Sequence, residues 1–248
     1  MFATQPFPIF SPHSPSFQTA PLPTDLPKPV AEFFALTLGK QMPVIHSAIL
    51  SGRGSIRFKG VTFSARWRFI HQAGCAYRHY IEATVLGHPL LKVNEYYLDG
   101  HSRLELPFGV VEDQPKVDMA ANLSMWSESV WLPSILLTDP RVRWEAIDDE
   151  HARLTIPFQN TTDTVVATFD PQTHMLRHFE SMRYREADST EKVGWRNEML
   201  EWQFFQGIRI PCRAAVQWLD ESSPWFTLTV DEVVYNVDVE SYIRSKEV

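Results

Sequence analysis

The sequence predicts an α+β fold, mainly antiparallel β: a large curved sheet, shaped like a half-open barrel, of about eleven strands packed on two or three helices. Three observations lead there. Much of the chain after Gly52 alternates apolar and polar residues with a period of two, as half-buried strands do. The strand patterns follow one another without the helix between strands that a parallel sheet needs. Aromatic residues are plentiful (16 Phe, 8 Trp and 7 Tyr in 248 residues) and prolines outnumber glycines 18 to 10, which suits broad apolar β surfaces. A sheet of that size has to curl, split or close because strand twist accumulates, and curling around helices covers the apolar faces of both.

The elements follow in order. Residues 1–29 hold eight of the 18 prolines, a density that no helix or central strand tolerates, so residues 1–25 are expected to form an extended arm. Residues 26–240 are expected to form one domain and residues 241–248 a tail. Lys28-Pro29 opens a helix whose Val30, Phe33, Phe34 and Leu38 recur at helical spacing before Gly39 ends it. In residues 63–70, Phe63, Ala65, Trp67 and Phe69 share one face of a strand while Ser64, Arg66 and Arg68 share the other. Strand patterns continue at 77–86, 90–98 and 103–111, with Asp99-Gly100 as a hairpin turn whose two central residues need positive φ.

Met119, Leu123, Trp126 and Val130 then mark a helix over 118–131, with Asp118 as candidate N-cap and Pro133 as its stop. A second run of strands covers 142–147, 152–158, 164–169, 175–184, 200–205, 208–219 and 225–239. Asp148-Asp149, Asp170-Pro171, Gly207 and Ser222-Ser223-Pro224 punctuate it.

Composition excludes several functions. No stretch reaches the roughly 18 uninterrupted apolar residues of a spanning helix. A net charge of −7 argues against nonspecific nucleic-acid binding. The charge is uneven, though: residues 52–103 carry eight Lys and Arg against three acids, whereas residues 104–248 carry 13 against 25. The basic stretch suits either an anionic ligand or the solvated outer faces of strands. Cys75 and Cys212 are too few for a disulfide framework and lack metal-ligand spacing. The N-terminus has no basic segment followed by an apolar run, so the expected location is cytoplasmic.

Few residues offer chemistry. His174 and His178 lie in or beside a strand pattern, about 13 Å apart by strand rise, too far to share an ion. Asp148-Asp149-Glu150-His151 reads as a solvated turn without the oxygen spacing of a calcium loop. Glu128 is the acid that stands out, because it lies on the 118–131 helix between Trp126 and Trp131. There it could bind a polar ligand head, act as an acid-base group, or pair with an Arg from a strand. Trp67, Phe69, Trp126, Trp131, Trp144, Trp202 and Trp218 could line a cavity for an apolar molecule or pack a solid core. No phosphate loop, nucleophile elbow or zinc-protease helix occurs, and neither a cofactor nor a metal is expected.

A set of motifs runs through most of the chain: Leu26-Pro27-Lys28-Pro29-Val30, then Glu128, Trp131, Pro133 and Leu137, then Val142-Arg143-Trp144-Glu145-Ala146-Ile147-Asp148-Asp149 and Ala152. Arg183-Tyr184-Arg185, Trp195, residues 207–211 and Val216-Gln217-Trp218 complete it. From about Leu26 to Tyr235 the sequence resembles an uncharacterised bacterial family known as a domain of unknown function. Where that family carries an Arg four residues before the helix Glu, this chain has Ser124, so the resemblance does not supply an Arg partner for Glu128 on the helix. The resemblance also implies a likeness in shape to the half-barrels of lipoprotein carriers, in which a curved sheet and helices enclose an apolar cavity. The leading expectation is a noncatalytic binder of a lipid or other hydrophobic ligand in the concave face, with Trp67, Phe69, Trp126, Glu128, Trp131, Trp144, Trp202 and Trp218 around it. The alternatives are an enzyme that uses Glu128 as acid-base group, with a His or Arg from the sheet beside it, and an interaction scaffold.

Overall fold

The structure, a computed structural model, describes residues 17–244. Most of the expected N-terminal arm lies outside that range. Its described remainder is tied to the domain: β1 (Thr19–Pro21) pairs with β2 (Gln41–Pro43), bracketing helix α1 (Lys28–Leu38), and Phe17 packs edge-on against Tyr235. Helix α1 begins and ends where its Pro and Gly place it, with Val30, Phe33, Phe34 and Leu38 buried and Gly39 at φ 72°.

The remaining strands form one open antiparallel sheet of 13. Its first half is a meander of β3 (Ser47–Phe58), β4 (Val61–Gln72), β5 (Ala76–Val85), β6 (His88–Leu98), β7 (His101–Leu106) and β8 (Gly109–Glu112). Helix α2 (Pro115–Glu128), a 3-10 turn (Ser129–Trp131) and α3 (Ile135–Thr138) then carry the chain across to the opposite edge. There a second meander begins: β9 (Arg143–Ala146), β10 (His151–Phe158), β11 (Thr161–Phe169), β12 (Leu176–Arg183), β13 (Val193–Phe205), β14 (Ile208–Trp218) and β15 (Phe226–Tyr235). Strand β15 ends in the middle of the sheet against β3, leaving β8 and β9 as the edges.

Alternation sets the inner face. Ala65, Trp67, Phe69 and His71 point inward along β4, as do Ala152, Leu154 and Ile156 along β10. Helix α2 packs on this concave face, touching β6 and β7 on one side and β10, β11 and β12 on the other. Trp126 and Trp131 are fully enclosed in this way. The middle of the trough is therefore solid protein. Asp118 is not the N-cap expected from the sequence: the helix starts earlier, at Pro115, and Asp118 is buried in its first turn. Its carboxylate accepts hydrogen bonds from the Ser102 N–H (2.7 Å) and hydroxyl (2.8 Å), fastening α2 to β7.

Two features have little sequence signal. Gly52 and Gly54 let β15 lie tight against β3, because a Cβ at either position would collide with the carbonyl oxygen of Thr229 or Thr227. Residues 241–244 of the expected tail instead belong to helix α4 (Glu240–Arg244), which covers the outer face of β5. Ile243 there joins Ile49, Ile70 and Ala76, and its carbonyl accepts from the Arg78 guanidinium at 2.9 Å. Asp99-Gly100 turns with both φ positive, 54° and 85°, as its hairpin requires. No helix among the described residues is long and apolar enough to cross a membrane.

Candidate functional site

Strands β4 and β5 pair so that Phe69 faces His79 and His71 faces Tyr77, which sets the two imidazoles diagonally on the concave face. Glu128, the last residue of α2, comes down between them. Its Oε2 lies 2.8 Å from His79 Nε2 and 3.5 Å from His71 Nε2. All three residues are buried, Glu128 being 8% exposed. Despite the short distances, none of the three facing atoms has a hydrogen-bond partner of sound geometry.

The surroundings hold these side chains rigidly. The His79 ring is sandwiched between Phe69 and Tyr77, with ring centres 3.9 and 4.0 Å away, and His71 packs against Trp131 at 6.1 Å. The Tyr77 hydroxyl donates to Glu95 Oε1 at 2.5 Å, while Glu95 Oε2 lies 3.9 Å from His79 Nδ1. From β12, Arg183 donates to the Ser124 hydroxyl at 2.8 Å and lies over the rings of Trp195 and Trp218.

Burial dominates the electrostatics. It pushes the Glu128 carboxyl up to about 7, against the pull of His71 and Arg183. It also pushes His71 down to about 3, against the attraction of Glu128, and His79 down to about 4, against that of Glu95. Without a bound ion the cluster at neutral pH is thus two neutral imidazoles beside a carboxyl near its midpoint. Such a set can exchange a proton or offer two nitrogens and an oxygen to a metal.

Of the eight residues expected at a ligand site, Trp67, Phe69 and Trp131 pack on one another beside this cluster, with ring centres 4.8 to 6.2 Å apart. Glu128 is in the cluster itself, and the other four are dispersed. Trp144 packs on Phe34 and Phe179, Trp202 on Phe33, and Trp218 lies beneath Arg183 and Arg185. Trp126 is enclosed near Gly74 and Ile135. His174 pairs with Glu32 at 3.0 Å while His178 lies by Glu180, so those histidines stay separate. Asp148 and His151 meet at an exposed hairpin, 2.7 Å apart.

Much of the basic stretch is consumed in pairs: Arg53 with Asp231, Arg57 with Glu221, Arg66 with Glu82, and Arg103 with Glu105 and Glu112. His71, His79 and Glu95 carried no local motif, and Arg183 stood only in the Arg183-Tyr184-Arg185 motif, which assigns it no role. The available signal was the period of two: continuing the inward series Ala65, Trp67, Phe69 by one step lands on His71, an imidazole on an apolar face.

A second feature occupies the same face farther along β5. Ile81 and Ala83 follow His79 on alternate positions and, with Ile56, Leu91, Val93 and Phe108, line an apolar cleft of about 40 Å³. Phe108, from the β7–β8 turn, reaches across to stack on Phe58 at the end of β3, with ring centres 5.4 Å apart. It caps the cleft while remaining 64% exposed. The turns at this end also expose Val61, Leu86, Leu90 and Val110; Leu86 is 95% exposed and held at φ 51°. Larger hollows are more open: one of about 600 Å³ beside Arg177, His178 and Arg196 mixes polar and apolar lining, and one of about 300 Å³ beside Leu123 sets Val166, Met182 and Leu219 among the charged Asp163, Glu180 and Lys192.

Comparison with solved structures finds weak global likenesses. A DUF1329 family protein from Desulfovibrio piger is 12% identical with a TM-score of 0.47, covering 82% of this chain and 90% of its own. A protein described as an outer membrane lipoprotein-sorting domain, from Vibrio parahaemolyticus, is 10% identical with a TM-score of 0.46, covering 88% and 93%. A LolA superfamily protein from Nitrosomonas europaea is 11% identical with a TM-score of 0.47, covering 81% and 89%. Comparison with curated proteins finds no match. A family profile matches residues 15–228, nearly all of the sheet and its helices. The chain belongs to DUF6544, a family of unknown function.

Proposed function

We propose that the protein is a noncatalytic binder of a lipid or other hydrophobic ligand, whose apolar chain enters the concave face at the end of the sheet formed by β3 to β8. The observation that carries this reading is the cleft beneath Phe108, whose exposed lining is almost wholly apolar and which opens among turns that present Val61, Leu86 and Leu90 to solvent. A solvent-facing Leu at positive φ gains nothing for folding, and neighbouring exposed apolar side chains commonly mark a contact surface. Since the cleft holds only a few water-sized groups as it stands, a longer chain requires Phe108 to swing off Phe58.

The test is displacement of a fluorescent fatty acid from the full chain and from variants. Ala83→Trp fills the cleft and is expected to weaken binding at least tenfold. Leu86→Glu, on an exposed tip and so neutral for folding, is expected to weaken uptake from vesicles. Unchanged binding in an Ala83→Trp protein with a wild-type circular dichroism spectrum would contradict the proposal.

A further inference from the structure

We propose that His71, His79 and Glu128 are the three protein ligands of a divalent first-row transition-metal ion, held with at least one coordination position open. The site is separate from the apolar cleft and stands or falls independently of it.

The argument begins with unpaired atoms. His71 Nε2, His79 Nε2 and Glu128 Oε2 are all buried, and all lack a hydrogen-bond partner. A buried polar atom left unpaired destabilises the fold, so three facing one point call for a common partner. The three ligand atoms lie within 4.8 Å of one another, and the two distances to Glu128 are 2.8 and 3.5 Å. Bonds of about 2.1 Å at tetrahedral angles set ligand atoms about 3.4 Å apart, so small side-chain adjustments close the shell. One ion would satisfy all three atoms at once.

The surroundings also suit a metal. Glu95 lies on the Nδ1 side of His79 and is itself held by the Tyr77 hydroxyl, an outer carboxylate of the kind that orients a ligating imidazole so that Nε2 faces the ion. Phe69, Tyr77 and Trp131 fix the ring planes. Ligand chemistry selects the class of ion. Two imidazole nitrogens and one carboxylate oxygen suit zinc or ferrous iron, whereas calcium and magnesium call for more oxygen. The protein supplies three ligands from two strands and a helix end, which leaves a position for water or another small ligand.

The test uses the full chain, stripped with EDTA and titrated with Zn2+ and with Co2+ as a spectroscopic probe. The expected result is one ion per chain, a higher melting temperature, visible Co2+ bands, and quenching of the fluorescence of Trp131, which packs on His71. Glu128→Gln, nearly isosteric, and His79→Gln should each weaken affinity at least tenfold, whereas His174→Ala and His178→Ala should leave it unchanged. If His79→Gln does not fold, Glu128→Gln together with the Co2+ quenching in the unaltered chain decides the matter. Absence of stoichiometric binding would overturn the proposal, as would binding that persists undiminished in a folded Glu128→Gln protein.

Discussion

The hydroxyl of Ser124 on α2 accepts a hydrogen bond of 2.8 Å from the Arg183 guanidinium on β12. Ser124 lies one helical turn before Glu128, so an arginine from the sheet reaches the helix face that carries the central acid. Removing the hydroxyl with Ser124→Ala should leave that guanidinium nitrogen unpaired and cost about 1–2 kcal/mol in urea unfolding. Ser124→Arg should cost more, because it sets two cations together, and Arg183→Met should relieve part of that penalty. Additive losses in the double variant would show that the two positions do not interact.

Close packing at the centre of the sheet gives a second prediction. Strand β3 joins the two meanders through β15, and Gly54 is where the backbones crowd. Gly54→Ala drives a methyl against the Thr227 carbonyl, an atom that cannot rotate away. A loss of about 1–3 kcal/mol is expected, as for overpacking of a core. Gly60→Ala, at an open turn where only the positive φ is strained, should cost less. Thermal melts of the two variants, compared directly, decide this.

The buried cluster makes stability depend on pH in a definite direction when metal is kept away with EDTA. Burial lowers both imidazoles, from 6.5 to about 3 and about 4, so the native state is penalised as pH falls below 6.5. It raises Glu128 from 4.5 to about 7, so the native state is penalised as pH rises above 4.5. Between pH 4.5 and 6.5 the unfolded chain binds more protons here, on its two imidazoles, than the native cluster, which holds about one on Glu128. The cluster's contribution to stability therefore rises with pH across this window. Glu128→Gln removes the opposing titration of the carboxyl and should steepen the rise. Urea melts at several pH values in the window check this, and a shallower slope in the variant would contradict it.

Phe108 tests the mouth of the cleft. Replacing it with Ser removes the stacking on Phe58 while altering a side chain that is already 64% exposed. Little stability should be lost, under about 1 kcal/mol. Both association and release of a fluorescent fatty acid should speed up in stopped-flow traces. Unchanged rates would mean that Phe108 does not gate the cleft.

Much of the fold was legible because alternation is a direct consequence of strand geometry. The inward series on β4 and β10, the Gly stop of α1 and the Asp99-Gly100 turn all follow from local rules. What escaped notice depends on partners distant in sequence. Strand β3 is rich in Ser, Gly and Arg and alternates weakly; its two glycines make sense only once β15 lies against them. The first half of β13 hides in the same way, since Asn197 points inward between Trp195 and Met199 and blurs the apolar period. Helix α4 is too short to show a period at all. At the site, Glu128 stood out because it lies between Trp126 and Trp131 on a helix with an apolar face. His71 and His79 did not, since their convergence requires the register of β4 on β5. The aromatic residues were identifiable as inward-facing, but only packing separates those that fill the core from the aliphatic set around the cleft.

The most direct measurement is native mass spectrometry of the purified full chain, followed by denaturing extraction of whatever it carries. The account predicts a discrete added mass of lipid size that organic extraction removes, that returns on incubation with fatty acid or phospholipid vesicles, and that Ala83→Trp abolishes. A chain that stays free of ligand after such incubation, or that carries the same mass in the Ala83→Trp variant, would contradict it.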